Sequence, residues 1–174
     1  MTSINELKAN FPQSGRIEWI GLRQAKSREI VQVDSAELLL DHGLAGDKAG
    51  QKPGGKRQVT LIQAEYFPVM ESLLENIKIT PEKLRRNIVV SGINLSVLLR
   101  RSLKINDAVI EITGNCAPCK KMESTLGFGA FNAMRNHGGI NAVVRKGGVI
   151  NIGDEIKVCT DLSTEASSPQ VKLL

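Results

Sequence analysis

The chain has 174 residues and a formal net charge of +5, enough for one well-buried core and one domain. One Trp, one Tyr and four Phe are too few for the aromatic platforms on which single-stranded nucleic acids stack, and no apolar run approaches the roughly 20 residues of a membrane span. The N-terminus lacks the charged-then-apolar order of a secretory leader, and three cysteines do not make a disulfide framework, so reduced thiols in a cytoplasm are expected.

Residues 1–14 are expected to be an irregular lead-in, 15–159 one domain and 160–174 a loose polar tail. Short strands are predicted at Arg16–Leu22, Arg28–Val33, Gln58–Ile62, Asn87–Val90, Ala108–Thr113, Ile140–Arg145 and Glu155–Cys159. Asp41–Asp47 and Gly50–Gly55 carry turn chemistry. Glu65–Ile77 has helical spacing, with Phe67, Met70, Leu73, Leu74 and Ile77 on one face. Pro68 belongs in its first turn. Thr80-Pro81 opens a short helix, with Thr80 as N-cap and Pro81 at the first helical position. Gly129–Asn136 supplies one or two further turns. Long helices do not alternate with the strands, which disfavours a doubly wound sheet. The expected fold is α+β and β-rich: a closed or partly open mixed β-barrel of about seven strands, with short helices at its rim.

Cations are clustered. Lys48–Gln63, Lys83–Asn106 and Ser124–Gly153 contain Lys and Arg but no acid. Clustered cations beside glycine-rich backbone suit a phosphate-bearing ligand, against the plainer reading of solvated surface. Lys56-Arg57-Gln58 follows a glycine-rich loop and leads into a strand. Arg85-Arg86-Asn87 opens another strand after a short helix. Either group offers guanidinium and amide donors to a phosphate or polar heterocycle. Asn132, Arg135 and Asn136, ahead of Gly138-Gly139, are placed at the same mouth.

Chemistry concentrates in Thr113–Glu123, where Cys116-Ala117-Pro118-Cys119 is followed by Lys120-Lys121. A thiol beside cations loses its proton more readily, and the thiolate is the form that attacks electrophiles and binds soft metals. Zinc is disfavoured because only His42 and His137 exist, far apart, and Cys159 is isolated. Two readings stay open beside plain burial. One is a Cys-x-x-Cys dithiol oxidoreductase, although no βαβ pattern precedes the motif. The other is a single thiolate on a soft metal or metal cofactor. A non-catalytic anion-binding module is a further alternative.

Five ordered blocks together resemble the MOSC domain family: Leu44–Lys48, Lys56–Glu65, Leu84–Ile88, Thr113–Glu123 and Gly148–Asp154. These domains form the C-terminus of molybdenum-cofactor sulfurase and also occur as free-standing bacterial proteins. The resemblance spans about Gly15 to Val158. It implies a barrel of the MOSC, pyruvate-kinase-like type and an association with molybdopterin. It further implies that Cys119 is the metal ligand, with Cys116 a less secure catalytic accessory. Basic and polar side chains (Lys56, Arg57, Gln58, Arg85, Arg86, Asn87, Lys120 and Asn132) are the cofactor-binding candidates.

By the same resemblance, the protein acts in cofactor or sulfur transfer, or reduces N-hydroxylated compounds at molybdenum. The partners implied are a sulfur-donor protein or an external electron donor; no nucleic acid or membrane partner is expected. Pyridoxal phosphate belongs to the larger domain of full-length sulfurase, and no residue here supports it. The spread of the blocks predicts one cleft holding Arg57 or Gln58, Arg85 or Arg86, and Cys119, with Cys119 on the floor and an arginine at the rim.

Overall fold

The computed structural model describes residues 2–11, 14–24, 29–51, 53–75 and 77–159. The tail at 160–174, and Arg28 at the start of the second predicted strand, lie outside the described residues. In chain order the strands are β1 (Gly15–Arg23), β2 (Ile30–Gln32), β3 (Ser35–Leu39), β4 (Gly43–Leu44), β5 (Val59–Gln63), β6 (Ile88–Ser91), β7 (Ser102–Ile105), β8 (Ala108–Asn115), β9 (Ile140–Lys146), β10 (Gly148–Asn151) and β11 (Glu155–Val158). The helices are α1 (Ile4–Ala9), α2 (Tyr66–Leu73), α3 (Pro81–Leu84), α4 (Lys120–Leu126) and α5 (Ala130–Ala133). Among the described residues, no helix is long and apolar enough to cross a membrane.

The main sheet runs β11-β7-β8-β9-β5-β6-β1, and β1 pairs back on β11 through Gly15 and Ile156, closing a seven-stranded barrel. β2 adds to the other end of β1, and β10-β3-β4 form a separate small sheet. The barrel is mixed because β5 and β6 are parallel, a pairing that requires a crossover. That crossover carries α2 and α3.

Strand alternation gives the barrel two apolar faces. Inward residues such as Ile17, Ile20, Leu61, Ile88, Ile110 and Ile140 form one cluster. Their alternates Ile62 and Val89 join a second cluster with Met70, Leu84, Met122, Leu126 and Ala130 from α2–α5. A register shift between Ile17 and Trp19 turns Trp19 to this outer cluster while Ile17 and Ile20 stay inside, which is what a bulge does. The helices therefore cover the outer wall at β1, β6 and β5, and the Arg86–Asn87 segment enters the fold beneath them.

Three differences from the sequence expectations have physical causes. The lead-in contains α1, because Ser3 and Glu6 satisfy each other's backbone N–H groups in a capping box. On α2, Met70 and Leu74 are buried but Leu73 and Ile77 are exposed; the helix ends at Leu73, so Ile77 escapes its periodicity. β3, β7, β10 and α4 were not anticipated, nor was β4, which lies within the predicted turn Asp41–Asp47. α4 buries Met122 and Leu126 one turn apart.

Glu123 on α4 caps the start of α5. Its carboxylate accepts from the N–H groups of Phe131 and Gly129 at 2.7 and 2.8 Å, and these bonds hold its pKa below the ordinary carboxylate range. A lowered folded-state pKa means the stabilisation is complete above the unfolded value of about 4.3. It is lost as pH falls through the lower folded value. Urea melts of wild type and Glu123→Gln are expected to differ at neutral pH and to converge once pH has fallen below the lowered folded-state pKa.

Candidate functional site

The backbone of β8 ends at Asn115, but the Cys116 N–H still donates to the Gly139 carbonyl at 2.8 Å. This ties the chain to the approach of β9. Cys116 is consequently buried, at 2 % exposure. Ala117-Pro118 then leads outward, and Cys119 sits as the extended residue immediately before α4. Its thiol is exposed. Two cysteines three positions apart thus have opposite environments: one packs in the interior and one faces solvent.

Arg86 lies beneath this segment. Arg85 takes a left-handed conformation (φ 58°) at the end of α3, and the chain turns there into β6. The Arg86 guanidinium is 4 % exposed and donates to three carbonyls: Gly138 at 2.7 Å, Leu84 at 2.9 Å and Cys116 at 3.3 Å. Burial lowers its pKa; the Cys116 and Cys119 thiols pull it up, while Arg57 and Arg23 push it down. Gly138 makes the close approach possible, since a Cβ there would sit 2.2 Å from the Cys116 carbonyl oxygen.

A polar network extends along the same wall. The Asn87 side-chain oxygen accepts from the Thr60 backbone and hydroxyl at 3.2 and 2.9 Å. Its amide nitrogen donates to Gly21 and to Asp47 at 3.2 and 3.0 Å. Asp47 is 3 % exposed and is paired with the Arg23 guanidinium at 3.0 Å. It also accepts from the backbone N–H groups of Arg23 and Ala49. Arg23 and Asp47 were not among the sequence candidates. The available signal was that Asp47 is the one acid between Gly43 and Gln63, where an isolated carboxylate is expected to have a specific partner.

The candidates divide by location. Arg86 bonds the Cys116 carbonyl, and Arg57, Cys119 and Arg23 are near enough to act on it electrostatically. Arg57 is exposed and makes no hydrogen bond or ion pair among the described residues. Gln58 and Asn87 use their amides inside the fold, the former accepting from Val144 N–H at 2.8 Å. Lys56 lines a separate open cavity of about 530 Å³ with Gln58, Arg100 and Arg145. Lys120 and Asn132 are exposed and Arg85 is half-buried; no hydrogen bond of their side chains is seen among the described residues. The expected depths are reversed: Arg86 is buried and Cys119 is exposed, and neither lines a cavity among the described residues.

Among the described residues, no three His, Cys, Asp or Glu side chains gather as a metal cage. What the wall offers is the exposed thiol of Cys119, an Arg57 without an ion pair among the described residues and the buried charge of Arg86. Beside them, a Cβ placed on Gly114 would meet nothing within 4 Å, and the side-chain oxygen of Asn141, paired across from Gly114, is buried without a partner. The thiol and the Arg57 guanidinium fit an anionic group that brings most of its own metal ligands, and the Asn141 oxygen is an acceptor for an N–H or O–H donor on such a group.

The MOSC domain profile matches residues 44–157. Among solved structures, the chain is similar to the YuaD protein from Bacillus subtilis, at 22 % identity over 84 % of this chain and 96 % of that one, with a TM-score of 0.74. It is also similar to YiiM from Escherichia coli, at 18 % identity over 87 % of this chain and 72 % of that one, with a TM-score of 0.67. YiiM from Geobacillus stearothermophilus gives 15 % identity over 83 % and 75 %, with a TM-score of 0.69. These likenesses establish the shared fold. No curated protein matches the chain.

The two arginines should separate in a stability measurement. Arg86→Met strands three buried carbonyls and is expected to cost ~3 kcal/mol in urea unfolding. Arg57→Met removes an exposed group and is expected to change stability by less than about 0.5 kcal/mol.

Proposed function

The chain belongs to the MOSC domain family, and from that premise we propose that it binds a molybdopterin-type molybdenum cofactor, with Cys119 as the protein's sulfur ligand to the metal. The observation that carries this reading is an exposed Cys119 at the end of a loop that Arg86 pins through the Cys116 carbonyl, with the exposed Arg57 near enough to act on Arg86. A soft thiolate suits molybdenum. An exposed guanidinium such as that of Arg57 suits the phosphate that a pterin cofactor carries, whereas Arg86 spends its donors on backbone carbonyls.

When bound, the cofactor supplies oxygen- or sulfur-atom exchange at the metal. The chain's own part is to hold and orient. Cys119 presents its thiolate at the surface, and Arg86 fixes the Cys116 carbonyl and hence the path of the loop between the two cysteines. Arg57, without a hydrogen-bond or ion-pair partner among the described residues, is available to an anion. Asp47 holds Arg23 in place beside Arg86. An exposed centre suits two activities. One is passing the cofactor or its sulfur to a recipient protein; the other is reducing N-hydroxylated compounds with electrons from a partner.

The dithiol reading is the weaker one. Thiol–disulfide exchange needs both sulfurs to be reachable in turn, and Cys116 is buried.

Expression in a host that makes the cofactor, followed by metal analysis and pterin fluorescence, tests the proposal. Wild type is expected to carry molybdenum and Cys119→Ser to lose it, since a hydroxyl does not replace a soft thiolate. Cys116→Ser should keep most of it. Arg57→Met should weaken retention about tenfold or more, the scale of one lost charged hydrogen bond. Equal loss in both cysteine variants, or a metal-free wild type, would overturn the assignment.

A further inference from the structure

A cavity of about 410 Å³ lies behind the Asn115–Pro118 segment, where β8 ends and β9 begins. Its volume is that of a small-molecule pocket. The rings of Tyr66 and Phe131 and the flank of Pro118 supply apolar walls. Tyr66 is held in orientation by an edge-on contact with His137, with centroids 5.0 Å apart.

The polar part of the lining is one-sided in charge. Arg135 is the only charged side chain among the lining residues, and no acid lines the cavity. Its guanidinium makes no hydrogen bond or ion pair among the described residues. The side chains of Asn115 and Asn136 are likewise unspent. Asn136 adopts a left-handed conformation, φ 66°, a costly choice for a non-glycine residue. It turns the chain out of α5 and brings Arg135 and Asn136 together at the cavity.

Aromatic walls, a free guanidinium and unspent amides define a ligand chemistry. We propose that this cavity binds a planar aromatic carboxylate of one or two rings, stacked between Tyr66 and Phe131 with its carboxylate on Arg135, lying against Pro118 beside Cys119. The ligand is thereby placed where a substrate of the Cys119 centre would sit. That last step rests on the reading of Cys119 given above, whereas the binding itself does not.

The test uses the full chain without cofactor, titrated by calorimetry with 2-naphthoate, the uncharged 2-naphthamide, and cyclohexanecarboxylate. One saturable site for naphthoate is expected, with the other two weaker by about tenfold or more, as for loss of one charge-assisted pair or of aromatic stacking. Arg135→Met should abolish the preference for carboxylate over amide. Arg145→Met, at the separate cavity, should leave it unchanged. Bound naphthoate should also slow iodoacetamide labelling of Cys119. Absence of saturable binding, equal affinity for acid and amide in wild type, or binding that leaves Cys119 labelling untouched would each overturn the proposal. Because the ligand arm needs no molybdenum, failure to load the metal in the preceding experiment would not be mistaken for failure here.

Discussion

The buried guanidinium of Arg86 is the constraint on which the arrangement of the site depends. Burying a charge is costly unless its donors are met. Here they are met by the carbonyls of Leu84, Gly138 and Cys116, which come from three separate parts of the chain. An arginine does not shed its proton to relieve burial, so a permanent positive charge is built into the wall under the cysteine loop. The same contacts require Gly138 to be glycine, and they draw Cys116 inward. Cys119 is left at the surface because the loop's other end is pinned.

Charge balance along the wall follows from that choice. Arg23 stands near Arg86 but is compensated by Asp47, itself held by Asn87 and by backbone N–H groups. Arg57 has no such compensation among the described residues. A cluster of three arginines with one resident carboxylate carries excess positive potential, and such a potential draws anions toward the one exposed thiol near it. The outer face of the barrel therefore does two jobs. Its apolar half seats α2–α5, and its polar half, along Arg23, Asp47, Asn87 and Thr60, holds the charges in fixed positions.

The fold was legible where alternation was strong and long. β8 and β9 each show three inward residues at period two, β5 is a short run buried throughout, and the barrel followed from the number of strands and the lack of long helices. β7 and β10 are four residues each, too short to carry a period, and β3 runs into Leu39-Leu40, where an apolar pair blurs the alternation. In the site, Cys119, Arg57 and Arg86 were visible as residue types beside turn signals. Their depth was not, because burial of Arg86 depends on carbonyls far away in sequence. Asn87 was read as a ligand contact, yet its amide serves the scaffold. Such a role is invisible without Thr60 and Asp47 in place. Arg23 and Asp47 were missed for the same reason: neither forms a motif alone.

Closure of the barrel through β1 and β11 has a consequence for how the chain reaches this state. The pairing joins Gly15 to Ile156 and Arg16 to Glu155, residues from opposite ends of the described sequence. Such non-local pairing makes folding slow, since loop entropy is lost before the contacts form. During synthesis, every other barrel strand emerges before β11. Until it does, β1 and β7 are both open edges, with unpaired backbone groups that invite a second chain. The nascent barrel is therefore most vulnerable to aggregation until β11 is available, and that four-residue strand seals two edges in one step.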